Sequence, residues 1–146
     1  MIYKHTTNEH DAFIELWEAS VRAKQHPYKE SDIEFYRPHI ITRYLKNSDL
    51  YCIDMDNGKI GAFISIKSKH IELMTVHPDI EGIEMEKRLI MFAVEELGIQ
   101  FLDVIEQNRE SVELYKNLGF RIVGRSPLDA VGKPYPILHM IVEKGC

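Results

Sequence analysis

The sequence predicts an α/β domain of the α+β kind, in which one mixed sheet carries helices on both faces. Three observations predict it. The 146 residues are one ordinary domain's worth of chain, and roughly two-thirds of the unfolded surface can then be buried without a disulfide or metal. The hydrophobic period switches between 3.6 and 2 along the chain in the order β-α-α-β-β-β-α-β-α-β-β. Helices are too few for a doubly wound sheet, and three consecutive strands after the second helix form a meander. No repeat, low-complexity tract or linker divides residues 1–146, which read as a single domain.

Residues 2–6 open as a short strand. Thr7 or Asn8 then caps a helix with Ala12, Phe13, Leu16, Trp17, Ser20 and Val21 at helical spacing. His26-Pro27 ends it, because the residue before proline leaves the α region. Ser31, with Glu34 three residues on, has the form of a capping box for a second helix through Ile33, Ile40, Ile41 and Leu45. Pro38 inside it implies a kink or two short helices. Residues 50–54 and 59–66 are strands joined at Asp56-Asn57-Gly58, since Asn-Gly accepts positive φ. Residues 71–76 form a third strand, stopped by His77-Pro78-Asp79. Residues 84–97 are helical, with Met85, Leu89, Ile90, Phe92, Ala93 and Leu97 apolar and Gly98 as the stop. Residues 100–105 are a short buried strand. Asn108 caps a further helix bearing Val112, Leu114, Tyr115 and Leu118, closed by Gly119. Residues 120–124 and 137–142 are the last strands.

Composition narrows the function. The chain is 45% hydrophobic, 10% aromatic and 28% charged, near the globular average, which excludes a disordered tail or a fibre. Eighteen basic against 23 acidic residues give −5, which argues against nucleic-acid binding through bulk charge. No run approaches 18 apolar residues, so no membrane span is expected, and the first residues lack a signal-peptide apolar region. Cys52, in an apolar run, reads as a core thiol. Neither it and Cys146 nor His70, His77 and His139 have metal-ligand spacing, so no metal is expected. Ser20, Ser65 and Ser111 lack a G-x-S-x-G context for a serine hydrolase. A cytoplasmic, reduced monomer or homodimer is the expectation.

Ile71-Glu72-Leu73-Met74-Thr75-Val76-His77-Pro78 and Asn108-x-x-Ser111-x-x-x-Tyr115-x-x-x-Gly119-Phe120 carry a resemblance. With the element order, they resemble the GNAT superfamily of acyl-CoA-dependent N-acetyltransferases. Leu16-Trp17-x-x-Ser20-Val21, Glu106-Gln107-Asn108 and Gly132-Lys133-Pro134-Tyr135-Pro136 are similar to a small bacterial single-domain subgroup. The resemblance spans almost the whole chain. It implies transfer of an acetyl group from acetyl-CoA to a primary amine of a small molecule or protein, with acetyl-CoA as co-substrate and no metal.

It also implies the site. Met74, Thr75 and Val76 would offer backbone groups to the pantetheine amides, as a splayed sheet accepts a short extra strand. The helix beginning near Glu84 would turn its free N–H groups towards the pyrophosphate. The family's loop there reads Arg/Gln-x-x-Gly-x-Gly/Ala, but this chain has Glu81-Gly82-Ile83-Glu84-Met85-Glu86. Side chains at 84 and 86 would crowd an approach that glycine allows. One carboxylate about 5 Å from one phosphate charge costs roughly 3 kcal/mol at an effective dielectric near 20. Residues 79–96 hold six acidic and two basic side chains, so −4 of the −5 lies in this segment. Acidic residues in a first helical turn equally complement the helix dipole. Two readings stay open: a loop that admits CoA through backbone N–H groups, and a ligand- or protein-binding module with weak or lost CoA binding.

The remaining roles follow from the resemblance. Tyr115 would protonate the departing thiolate, a task for a positioned hydroxyl. Asn108 and Ser111 would border the pantetheine arm. Glu72 would be the base for the amine, and strand alternation puts it on one face with Met74, opposite Ile71, Leu73 and Thr75. His26, Tyr28 and Tyr135 would line the acceptor pocket.

Overall fold

The computed structural model describes residues 1–7, 9–23, 27–80 and 82–143. Asn8, His26, Glu81 and Cys146 fall outside the described residues. The order is β1 (Tyr3–Lys4), α1 (Asp11–Ala23), α2 (Glu30–His39), β2 (Asp49–Asp54), β3 (Ile60–Lys67), β4 (His70–Val76), α3 (Gly82–Leu97), β5 (Phe101–Ile105), α4 (Arg109–Asn117), β6 (Phe120–Ser126) and β7 (Ile137–Val142). One seven-stranded sheet runs β1-β2-β3-β4-β5-β7-β6. β4 and β5 are parallel, and the other neighbours are antiparallel. No helix among the described residues is long and apolar enough to cross a membrane.

Each face has its own core. Phe13, Leu16, Trp17 and Val21 of α1 pack with Ile33 and Tyr36 of α2 on Leu50, Cys52 and Phe63. On the other face Leu89, Ile90 and Ala93 of α3, each without exposed surface, pack with Val112 and Tyr115 of α4 on Ile64, Ile71 and Met140. The amphipathic stripes read from the sequence face these two cores. Cys52 is fully buried, and burial pushes its thiol up to about 12.

The helix starts differ from expectation. The first bonds of α1 go from Phe13 and Ile14 N–H to the His10 carbonyl, while Thr7 accepts from Glu9 N–H in the preceding turn. Thr7 therefore does not cap the helix. α2 starts one residue before Ser31: the Asp32 carboxylate accepts Lys29 N–H at 3.0 Å, which replaces the expected Ser31–Glu34 pair. Past Pro38 the chain widens into a π turn over Ile40–Leu45.

A bulge in β4 decides which side chains reach the site. Ser65 pairs with Leu73 but Ile66 pairs with Ile71, so Glu72 is the extra residue. Beyond it the faces exchange. Ile71, Met74 and Val76 join the α3–α4 core and Leu73 the α1–α2 core, and Thr75 lies opposite Phe63. Glu72 turns to His70 instead, so it does not share a face with Met74 as simple alternation requires.

Candidate active site

The parallel pairing of β4 and β5 is brief. Only His70 with Phe101 and Ile71 with Leu102 are in register; further along, the two strands separate. A cavity of about 360 Å³ opens at the separation, walled by Glu72 to Val76 of β4 and Leu102 to Ile105 of β5. It reaches both faces of the sheet. Glu86, Ile90, Asn108 and Tyr115 border it from the α3–α4 side, and Trp17, Ser20, Tyr28 and Tyr36 from the α1–α2 side.

On the α3–α4 side, Tyr115 is buried among apolar neighbours with its ring 6.3 Å from that of Phe120. Burial, and then the charge of Glu86, raise its phenol well above 10, against a smaller opposing effect of the Ser111 hydrogen bond. Tyr115 is therefore fully protonated at neutral pH, as a proton donor must be. The Ser111 hydroxyl donates to Glu86 at 3.2 Å, and both residues are buried. α3 begins at Gly82 and not near Glu84, so Ile83, Glu84, Met85 and Glu86 are helical. Glu84 is exposed, Met85 joins the core, and Glu86 is held beneath the helix by Ser111. The crowding expected from side chains on a loop at 84 and 86 therefore takes another form. Asn108 holds the N-cap position of α4 through its backbone carbonyl, which accepts Val112 N–H at 3.1 Å. Its side chain makes no capping bond, contrary to expectation, and the residue borders the cavity.

On the α1–α2 side, Tyr28 stacks on Tyr36 at 4.6 Å between ring centres and meets Tyr135 edge-on at 5.0 Å. Tyr135 does not border the cavity; its hydroxyl donates to the Asp32 carboxylate, so it supports Tyr28 from behind. The Tyr36 hydroxyl donates to Asp129, whose other oxygen accepts Val131 and Lys133 N–H at 3.1 and 2.9 Å. Burial raises the phenols of Tyr28 and Tyr36, Tyr36 also through its bond to Asp129. An aromatic wall with a carboxylate beside it suits a cation on an apolar stem.

Glu72 lies on the cavity wall with an oxygen 3.4 Å from His70 Nδ1, and His70 Nε2 is 3.4 Å from Asp103. The bonds to Asp103 and then Glu72 raise the His70 imidazole to about 9. Tyr36, Tyr44, Asp103 and Asp129 were not singled out in the sequence, although Tyr28, Tyr36 and Tyr44 recur eight residues apart. Among the described residues no group of three or more His, Cys, Asp or Glu is disposed to hold a metal ion.

With this geometry in place, comparison with known proteins is informative. A family model described as an acetyltransferase (GNAT) domain matches residues 19–132. The chain is 29% identical over 133 residues to the peptidyl-lysine N-acetyltransferase YjaB of Salmonella typhimurium, covering 91% of each. The solution structure of apo-form YjaB from Escherichia coli has a TM-score of 0.82 at 23% identity, over 99% of this chain and 98% of that one. The crystal structure of the ribosomal-protein-S18-alanine N-acetyltransferase from Escherichia coli gives 0.68 at 16% identity, over 97% and 92%.

Proposed function

The chain belongs to the GNAT acetyltransferase family, and from that premise we propose that the primary amine of a lysine-like side chain, on a protein or a small molecule, is its acceptor. The chain transfers an acetyl group from acetyl-CoA to an amine. One observation carries the proposal. The gap between β4 and β5 joins a wall holding a protonated Tyr115 to a wall of tyrosines and carboxylates. A cationic amine suits the second wall, and a departing thiolate needs the first. The Salmonella relative's name, a peptidyl-lysine N-acetyltransferase, supports an alkyl amine of this kind.

The residues present fit acetyl-CoA. Past Ile71 the β5-facing edge of β4 is free of ladder partners, so Met74, Thr75 and Val76 are placed to hold the pantetheine arm by backbone hydrogen bonds. Asn108 borders the same path, and Ser111 stands behind it, bonded to Glu86 of the cavity wall. The N–H groups of Gly82 and Ile83 open the 16-residue α3, where a pyrophosphate is favoured. When bound, acetyl-CoA supplies the activated acetyl carbonyl. Tyr115 holds a proton at Oη for the departing sulfur, and Glu72 receives the amine as a cation. The binding-module reading is not favoured.

The test is thiol release from acetyl-CoA with Nα-acetyl-lysinamide as acceptor. Release that depends on the amine and yields the acetylated product is the expected result. No amine-dependent release, with this compound or with spermidine, rejects the proposal.

A further inference from the structure

A second titratable cluster shares the cavity wall with Glu72. The His139 ring on β7 places Nδ1 2.7 Å from Asp103 on β5 and Nε2 2.7 Å from the Ser126 hydroxyl on β6. Three neighbouring strands thus align Ser, His and Asp, and all three residues border the cavity. Gly124 lies opposite His139 in the β6–β7 ladder and packs against the edge of its ring.

We propose that His139 is the proton acceptor for the amine, reached through the Ser126 hydroxyl, with Asp103 as the positioning residue that fixes its tautomer. The inference rests on the amine-acetylation reading and refines it: Glu72 attracts the cation, and His139 takes the proton. The hydrogen-bond inventory determines the direction. Asp103 is a carboxylate and accepts only, so Nδ1 of a neutral His139 carries the hydrogen, and Nε2 is left as the acceptor of the Ser126 proton. In the step, an N–H bond of the ammonium breaks and its proton passes to Ser126 Oγ. The Ser126 proton moves to His139 Nε2, and the freed nitrogen lone pair forms the bond to the acetyl carbon as the C–S bond breaks. The departing sulfur takes the Tyr115 proton, and the acetylated nitrogen gives its second proton back to the Tyr115 oxygen. The resulting imidazolium is stabilised by Asp103 and releases its proton to water, since the His139 side chain is 39% exposed.

The neighbouring groups support this assignment. His70 of β4 touches the same Asp103 oxygen as His139, but also Glu72. Held between two carboxylates, it is already charged at neutral pH and has no free site for another proton. Burial pushes Asp103 upward, yet the hydrogen bonds from His70 and His139 outweigh it and keep Asp103 below the usual carboxylate range. Arg125, beside Ser126 on β6, is paired with Glu106 at 2.7 Å. His39 and Arg43 from the α2 end and π turn, and Asp129 from the β6–β7 loop, face the same cavity.

The test compares pH–rate profiles of wild type, H139Q, D103N, S126A and E72Q in amine-dependent thiol release with Nα-acetyl-lysinamide. H139Q is expected to lower kcat roughly a hundredfold, the scale of one general base, and to remove the imidazole limb of the profile with KM for acetyl-CoA unchanged. D103N should do the same through the wrong tautomer, and E72Q should mainly raise KM for the amine. Imidazole NMR of wild type should show His139 protonated at Nδ1, and D103N should lose that signature. Because His139 is two-fifths exposed, H139Q remains a valid test if D103N fails to fold. Wild-type kcat and pH profile in H139Q, or a neutral His139 protonated at Nε2, would overturn the inference while amine acetylation stands. Absence of release by wild type removes both.

Discussion

At the scale of single residues, Tyr115 and Glu86 are the informative pair. A buried phenol beside a buried carboxylate resists ionisation, so Tyr115 keeps its proton at neutral pH. Tyr115→Phe should lower kcat by roughly a hundredfold with little change in KM for acetyl-CoA, measured by thiol release; unchanged kcat would reject the acid role. Glu86→Gln removes the charge that helps hold the phenol up, so ultraviolet titration should find Tyr115 ionising at lower pH than in wild type. No change would show that burial alone sets it. The glutamate that looked in the sequence like an obstacle to phosphate thus has a partner in Ser111 and an effect on the proposed acid. Helical periodicity could place Glu86, Ser111 and Tyr115 on their helices, but not bring α3 against α4.

At the scale of elements, the site depends on where strands part and helices stop. α4 closes at Gly119, whose φ of +100 lies in the region that favours glycine. Gly119→Ala should cost about 1 kcal/mol in a denaturant melt, and the Val142 methyl 3.8 Å from the new Cβ adds no clash. Leu89 on α3, fully buried, should cost about 3 kcal/mol as alanine. Hairpin and helix ends were legible where their chemistry is local: Asn57-Gly58, Gly98 and Gly119 each take positive φ or stand next to a residue whose turn needs it. The bulge at Glu72 was not legible. It follows from a one-residue offset between β3 and β4, and period-two reasoning cannot detect an extra residue. The Asp32 contact with Lys29 was also missed, because Ser31 and Glu34 offered a competing cap one step further on.

At the scale of the whole molecule, element order and the two amphipathic faces were readable, whereas contacts between distant strands were not. His70, Asp103 and His139 are far apart in the chain and meet only because β5 lies between β4 and β7. The same arrangement makes stability depend on pH. His70 is raised from 6.5 to about 9, chiefly by its bond to Asp103, so its contribution is complete below about 6.5 and lost as pH rises through about 9. Asp32 is lowered from 3.8 to about 2 by the Tyr135 hydroxyl first and by Lys29 N–H, so its contribution holds above about 3.8 and is lost as pH falls through about 2. Melting curves between these limits should show the alkaline loss in wild type and a smaller one in His70→Gln; identical slopes would contradict the assignment. The acidic segment 79–96 leaves the most direct question at this scale, which is whether the gap between β4 and β5 receives acetyl-CoA. A titration of acetyl-CoA followed by backbone amide NMR answers it. Saturable shifts concentrated at Met74 to Val76, Gly82, Ile83 and Asn108 are predicted; no shifts up to millimolar acetyl-CoA, or shifts confined to another surface, would contradict the account.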